Sequence, residues 1–218
     1  MTPLSIDDIR SLLVRAFDAQ AETASAWHGQ EPHFGPEPPA DCDADGFIDL
    51  VLRQHWCHFR IWHVENRARR KDAAPALIAD CKYAFDKLNL ERNDLMERID
   101  AWLVAAFAPL LPPPDADRRT RRNTGTMGMA LDRGSILALK LHHLTEQSGR
   151  AGLPKDFATE CGRRLKILAE QRADLQAAVL DLADDYAAGR KRPKVYYHFK
   201  MYNDPRLNPE LYGHKAGS

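Results

Sequence analysis

"LRQHWCHFRIWHVENRARR" (residues 52–70) changes character halfway along while keeping a helical period. Steps of i, i+4, i+7, i+11 and i+14 collect Leu52, Trp56, Phe59, His63 and Asn66 on one face. The stripe begins apolar and turns polar without leaving the face that an amphipathic helix presents to a core. A strand would need strict alternation, and β-branched residues are sparse here. The stretch therefore predicts a helix over 47–70 whose inward face ends in polar chemistry.

The same period recurs downstream. A second helix (75–108) lines up Phe85, Leu88, Arg92, Leu95 and Ile99, with Asn89 beside Arg92. A third (126–149) lines up Asp132, Ile136, Leu139, His143 and Glu146, and a fourth (155–188) Leu165, Leu168, Arg172, Leu175 and Val179. Prolines and glycines mark the breaks: "KDAAP" (71–75), "PLLPPPDADRRTRRNTG" (109–125), "GRAGLP" (149–154) and "GRKRP" (189–193). Ahead of them, residues 5–20 read as a short helix capped by Ser5 or Asp7, and 28–46 as loop. The expected fold is all-α: a single domain, 1–218, holding an antiparallel four-helix bundle of two similar hairpins, 47–108 and 126–188. An extra N-terminal helix precedes the bundle, a Pro/Arg-rich connection (109–125) joins the hairpins, and an extended C-terminal tail (189–218) follows. Sliding the chain on itself by 80 positions lays His63 on His143, Cys81 on Cys161, Arg92 on Arg172 and Leu95 on Leu175, the pattern of an internal repeat.

Bulk composition narrows the class. The 218 residues are 44% hydrophobic and 28% charged, ordinary for a globular chain, and 31 basic side chains balance 31 acidic ones. No net field draws it to nucleic acid, and the basic run "RRTRR" (118–122) lacks interleaved aromatics. "AWLVAAFAPLL" (101–111) falls short of the roughly 20 apolar residues a membrane span needs. No export signal is visible in "MTPLSIDDIR". Cys42, Cys57, Cys81 and Cys161 form no C-x-x-C pair and read as reduced, mostly buried thiols, so a cytoplasmic protein is expected.

Polar groups in a seam must pair with each other or with a ligand. The candidates are His63, Glu65, Asn66, Arg69, Asn89, Arg92, Asp132, Arg133, Lys140, His143, Glu146, Glu170, Arg172 and Asp174. As a structural set they form an ion network that fixes helix register. As a site, Arg69, Asn89, Arg92, Asp132, Arg133, Lys140, Glu170 and Arg172 bind an anionic ligand, with His63, Glu65, His143 and Glu146 as acid–base groups. The tail "FKMYNDPRLNP" (199–209) is stiffened by its Asn-Asp-Pro turn, so it either covers helix ends or brings Lys200, Tyr202 and Asn203 to the edge of the site.

"IWHVENRAR", "FDKLNLERNDLMERID", "ALDRGSILALKLHH", "LAEQRADL" and "FKMYNDPRLNP" resemble the successive blocks of a bacterial family known as domain of unknown function 4254, over residues 45–212. Asn66 replaces an aspartate of the family pattern, Ile61 a leucine, and Gly134 stands where leucine is usual. The resemblance implies a cytoplasmic protein associated with surface-polysaccharide assembly. With the cationic residues, it points to a sugar phosphate or nucleotide sugar as ligand, held or transformed.

Two other classes compete. One is an interaction protein without chemistry, a scaffold for a glycosyltransferase or a homo-oligomer, docking through its aromatic tail. The other is a metal-dependent bundle enzyme using His63, His143, Glu65, Glu146, Asp132 and Glu170. The Glu-x-x-His signature of di-metal bundles is missing, however, and the arginines disfavour a dication. The pair in "HWCH" (55–58) reads as packing or surface sooner than as a chelate. No metal set and no cofactor is therefore expected. "TGTMG" (124–128) offers a helix N-terminus to an anion but reads first as a plain cap.

Overall fold

The computed structural model describes residues 3–113, 121–201 and 204–212. Six helices follow one another: α1 (Ile6–Ala26), α2 (Ala44–Ala68), α3 (Pro75–Phe107, continued by a 3-10 turn), α4 (Met127–Ser148), α5 (Lys155–Ala187) and the single turn α6 (Pro209–Tyr212). Among the described residues there is no strand, only an isolated bridge between Arg121 and Lys191. No helix among them is long and apolar enough to cross a membrane.

Local chemistry sets the helix ends. Ser5 and Asp8 form a reciprocal capping box at the start of α1. Asp43 accepts the Gly46 N–H at the start of α2, which therefore begins three residues ahead of the expected start at Phe47. Pro75 opens α3, where its missing N–H costs nothing. α1 outruns its expected end at residue 20 because "AETASA" is mostly good helix former.

α2 packs chiefly on α3, and α4 on α5. α1 is not peripheral to them: it lies against α2, α4 and α5 and buries Ile9, Leu12, Leu13, Ala16, Phe17, Gln20 and Ala24. The main core joins Leu13 and Phe17 of α1 to Phe47 and Leu50 of α2, Ile99, Trp102 and Phe107 of α3, Leu131 of α4 and Val179 of α5. Gly134 makes the α1–α4 approach possible, since a Cβ there would sit 2.7 Å from Phe17 Cε1 and 3.0 Å from Gln20 Oε1. The 28–43 loop is pinned across the hairpin: the Trp102 indole donates to Cys42 O (2.9 Å), and Arg53 donates to Gly35 O (2.7 Å) beneath Phe34. All four cysteines are buried, free thiols.

Where α2 meets α4, residues 80 positions apart touch. His55 Nδ1 lies 2.6 Å from Ser135 Oγ, and the rings of His63 and His143 are 5.9 Å apart.

Candidate functional sites

The seam charges resolve into three separate places. The first is a closed network around Asp132. His58 Nε2 donates to Asp132 Oδ1 (2.8 Å), Gln54 donates to the same oxygen, and Arg92 Nε lies 3.4 Å from it. Burial alone would push the Asp132 carboxyl up; hydrogen bonding and attraction from His58, then Arg92 and Gln54, outweigh it and hold the pKa below the usual range. Arg92 also donates to Asn93, and from the tail Lys200 comes into electrostatic range of Arg92. Neighbouring His55, fully buried, meets Ser135 on one side and the Trp27 ring on the other (5.0 Å). Asp132 is thus held by His58, Gln54 and Arg92, an internal ion network of the kind that the stripe allowed for, although Gln54 Oε1, His55 Nε2 and Arg92 Nε have no hydrogen-bond partner among the described residues.

The second place is a histidine cluster at the C-terminal end of α4. His28, just past the end of α1, stacks on His142 (centroids 4.5 Å, planes 30° apart) and stands edge-on to His143 (4.9 Å) and His63 (5.3 Å). Trp62 lies flat on His143, 4.5 Å away and 7° from parallel. Glu146 Oε2 lies 3.1 Å from His143 Nδ1 and 3.3 Å from His142 Nε2. Burial pulls the pKa values of His63, His142 and His143 below the ordinary value, so these rings are neutral near pH 7. Beside the cluster an apolar hollow of about 370 Å³ is lined by Trp62, Lys140, Leu144, Ile167 and Leu168.

The third place is a basic cleft at the other end of α4, roughly 20 Å along the helix. Two hollows share Asn123, Gly125 and Thr126. The larger, about 310 Å³, has a floor of Met129, Ala130, Leu175, Val179 and Leu182, with Arg133 and Lys191 at its side. The smaller adds Arg121, Arg122, Arg192 and Lys194. The two basic segments run side by side because Arg121 N–H donates to Arg190 O (3.2 Å), and Asn123 donates to the buried Tyr186 hydroxyl (3.1 Å). Lys191 is paired with Asp185 and Arg192 donates to Pro112 O, but Arg121, Arg122, Arg133 and Lys194 meet no carboxylate among the described residues. The Gly128 N–H at the start of α4 is already taken by the buried Asp100 carboxylate (2.7 Å), so the "TGTMG" helix end is a cap, with Thr126 accepting from Met129.

The expected ligand-binding set is thus dispersed. Arg69 is exposed and pairs with Glu65 in its own helix, and Asn66, Lys140, Glu170 and Asp174 are exposed. Asn89 donates to Phe85 O within α3. Arg172 donates to Phe17 O (2.8 Å) and covers the Phe17 ring, because α1 occupies the side of α5 that a four-helix bundle would leave to a pocket. Only Arg133 reaches the cleft; Arg92 and Asp132 meet in the buried network, and of the expected acid–base groups His63, His143 and Glu146 come together. Tyr202 and Asn203 lie outside the described residues. Gln54, His55, His58, His28 and His142 are the functional-looking side chains that the stripe passed over. The doublet His142–His143 followed by Glu146 at i+4 and i+3 was the one available signal; nothing in sequence ties His28 to it.

Residues 48–195 match the family described as "Protein of unknown function (DUF4254)", and the chain belongs to that family. Neither the curated proteins nor the solved structures yield a match.

Proposed function

We propose that this member of the family binds a phosphorylated sugar or nucleotide sugar, in the basic cleft and not in the bundle seam. The observation that carries the reading is the convergence of Arg121, Arg122, Arg133 and Lys194, none paired with a carboxylate among the described residues, on a cleft with an apolar floor. Guanidinium forks suit the oxygens of a phosphate or diphosphate, and the floor of Met129, Leu175 and Leu182 suits a base or sugar ring. The setting is the one the family resemblance implied, a cytoplasmic bacterial protein working beside surface-polysaccharide assembly. Isothermal titration with inorganic phosphate, a sugar 1-phosphate and a uridine diphosphate sugar tests it. The diphosphate sugar should bind tightest, and Arg122→Ser with Arg133→Ser should weaken it well over tenfold without lowering the melting temperature of the free protein. Equal binding by the double variant would remove the cleft as the site.

A second reading, an interaction protein, draws on the tail, where Tyr197, Phe199 and Met201 are 63%, 83% and 57% exposed. It predicts a self-associating full-length chain and a monomer on deletion of residues 199–218. Light scattering decides, and a full-length monomer counts against self-association.

A further inference from the structure

One potential donor atom from each of His28, His142, His143 and Glu146 lies within 4.8 Å of the other three. We infer that these four residues form a binding site for one divalent transition-metal ion of the Zn²⁺ class. A tetrahedral ion with bonds near 2.1 Å needs donors about 3.4 Å apart. The distances from Glu146 Oε2 to His143 Nδ1 (3.1 Å) and His142 Nε2 (3.3 Å) already have that spacing.

Tautomer and orientation are set as such a site requires. The His28 Nδ1–H donates to Ala24 O (2.9 Å), which fixes the tautomer and leaves Nε2 with its lone pair free. A metal-ligating histidine whose other nitrogen is held by a backbone carbonyl has this arrangement. His142 Nε2 is buried and, though near Glu146, has no hydrogen-bond partner. An imidazole nitrogen left so is costly in a purely structural cluster and is satisfied by coordination. Three imidazoles and one carboxylate suit Zn²⁺, Co²⁺ or Ni²⁺ and suit Mg²⁺ or Ca²⁺ poorly. His63 and Trp62 close the apolar side, and exposed Glu146 and His28 leave a route for the ion from solvent.

The site is distinct from the basic cleft, so its test is independent of that reading. Chelator-stripped protein is titrated with Zn²⁺ against a chromophoric competitor, and with Co²⁺ followed by its visible d–d bands. One equivalent should bind with a Kd below micromolar, and Co²⁺ should give the intense bands of a four- or five-coordinate ion. His28→Ala and Glu146→Gln, both at exposed positions, should each weaken Zn²⁺ at least tenfold while keeping the helical circular dichroism. His33→Ala, on the exposed loop, should bind as wild type. Binding only at millimolar metal, octahedral-type Co²⁺ spectra, or equal affinity of the His28 and Glu146 variants with wild type would overturn the site.

Discussion

His55 makes the fold sensitive to mild acid. Its side chain is 0% exposed, and only Nδ1 finds a polar partner, Ser135 Oγ; Nε2 has none. Burial first, then the neighbouring His58, pulls its pKa from 6.5 to about 3. The unfolded chain takes up a proton at His55 once pH falls below about 6.5, and the folded chain refuses it until about 3. The folded state is therefore undiminished above 6.5 and loses stability throughout that window. Between pH 6.5 and 4.5 the two units of separation amount to about 2.7 kcal/mol. His55→Asn retains an amide near Ser135 but removes the titration. Losing the ring should cost about 1–3 kcal/mol at pH 8. That penalty should shrink by about 2–3 kcal/mol at pH 4.5, because wild type alone bears the protonation cost. Urea unfolding of both proteins across pH 4.5–8 measures the difference, in which all other titrating groups cancel to first order. Parallel stability curves would refute the assignment of a buried, neutral His55.

Asp100 should act with the opposite sign. It is 3% exposed, and burial raises its pKa from 3.8 to about 6 despite hydrogen bonds from Thr126 and Gly128 and the attraction of His198, with Glu97 adding to the rise. The unfolded chain releases this proton first as pH rises, so wild type loses stability from about 3.8 to 6 and then levels off. Asp100→Asn should gain roughly 3 kcal/mol relative to wild type across that window, seen in the same urea series. No relative gain would show that Asp100 is not held protonated there. At Gly134, alanine should destabilise by about 1–3 kcal/mol although it favours helix by nearly 1 kcal/mol, because Phe17 is 0% exposed and cannot withdraw. Phe17→Leu should recover part of that loss in the double variant; a stabilised Gly134→Ala would remove the close α1–α4 contact.

Helical period carried most of the fold. α3 to α5 begin and end within a residue of their expected bounds because proline, glycine and capping chemistry act locally. The inward face was harder to read. The expected stripe on α2 ran through Leu52, Trp56, Phe59, His63 and Asn66; Phe59 is buried, yet the buried polar side chains are Gln54, His55 and His58, and Asn66 is exposed. A helix covered on one side shows one stripe; α2 is covered by α1, α3 and α4, and three contacts smear the pattern. The packing of α1 also explains Arg172, which donates to Phe17 O of that helix instead of facing a pocket. His28 was invisible for a different reason: it belongs to a loop-side residue brought to α4 only by the length of α1.

The meeting of His55 with Ser135 and of His63 with His143 has a bearing on how this sequence can vary. Had each of these contacts been made between two copies of one residue in a symmetric dimer of identical chains, both partners would have to carry the same side chain. Within a single polypeptide each side mutates alone. At 55 and 135 that freedom gives a heterotypic pair, a ring nitrogen against a hydroxyl, where two buried imidazoles would compete for room and protons. At 63 and 143 two histidines meet, but the rings stand 82° apart and only His143 meets Glu146, so chemically equal residues occupy unequal surroundings.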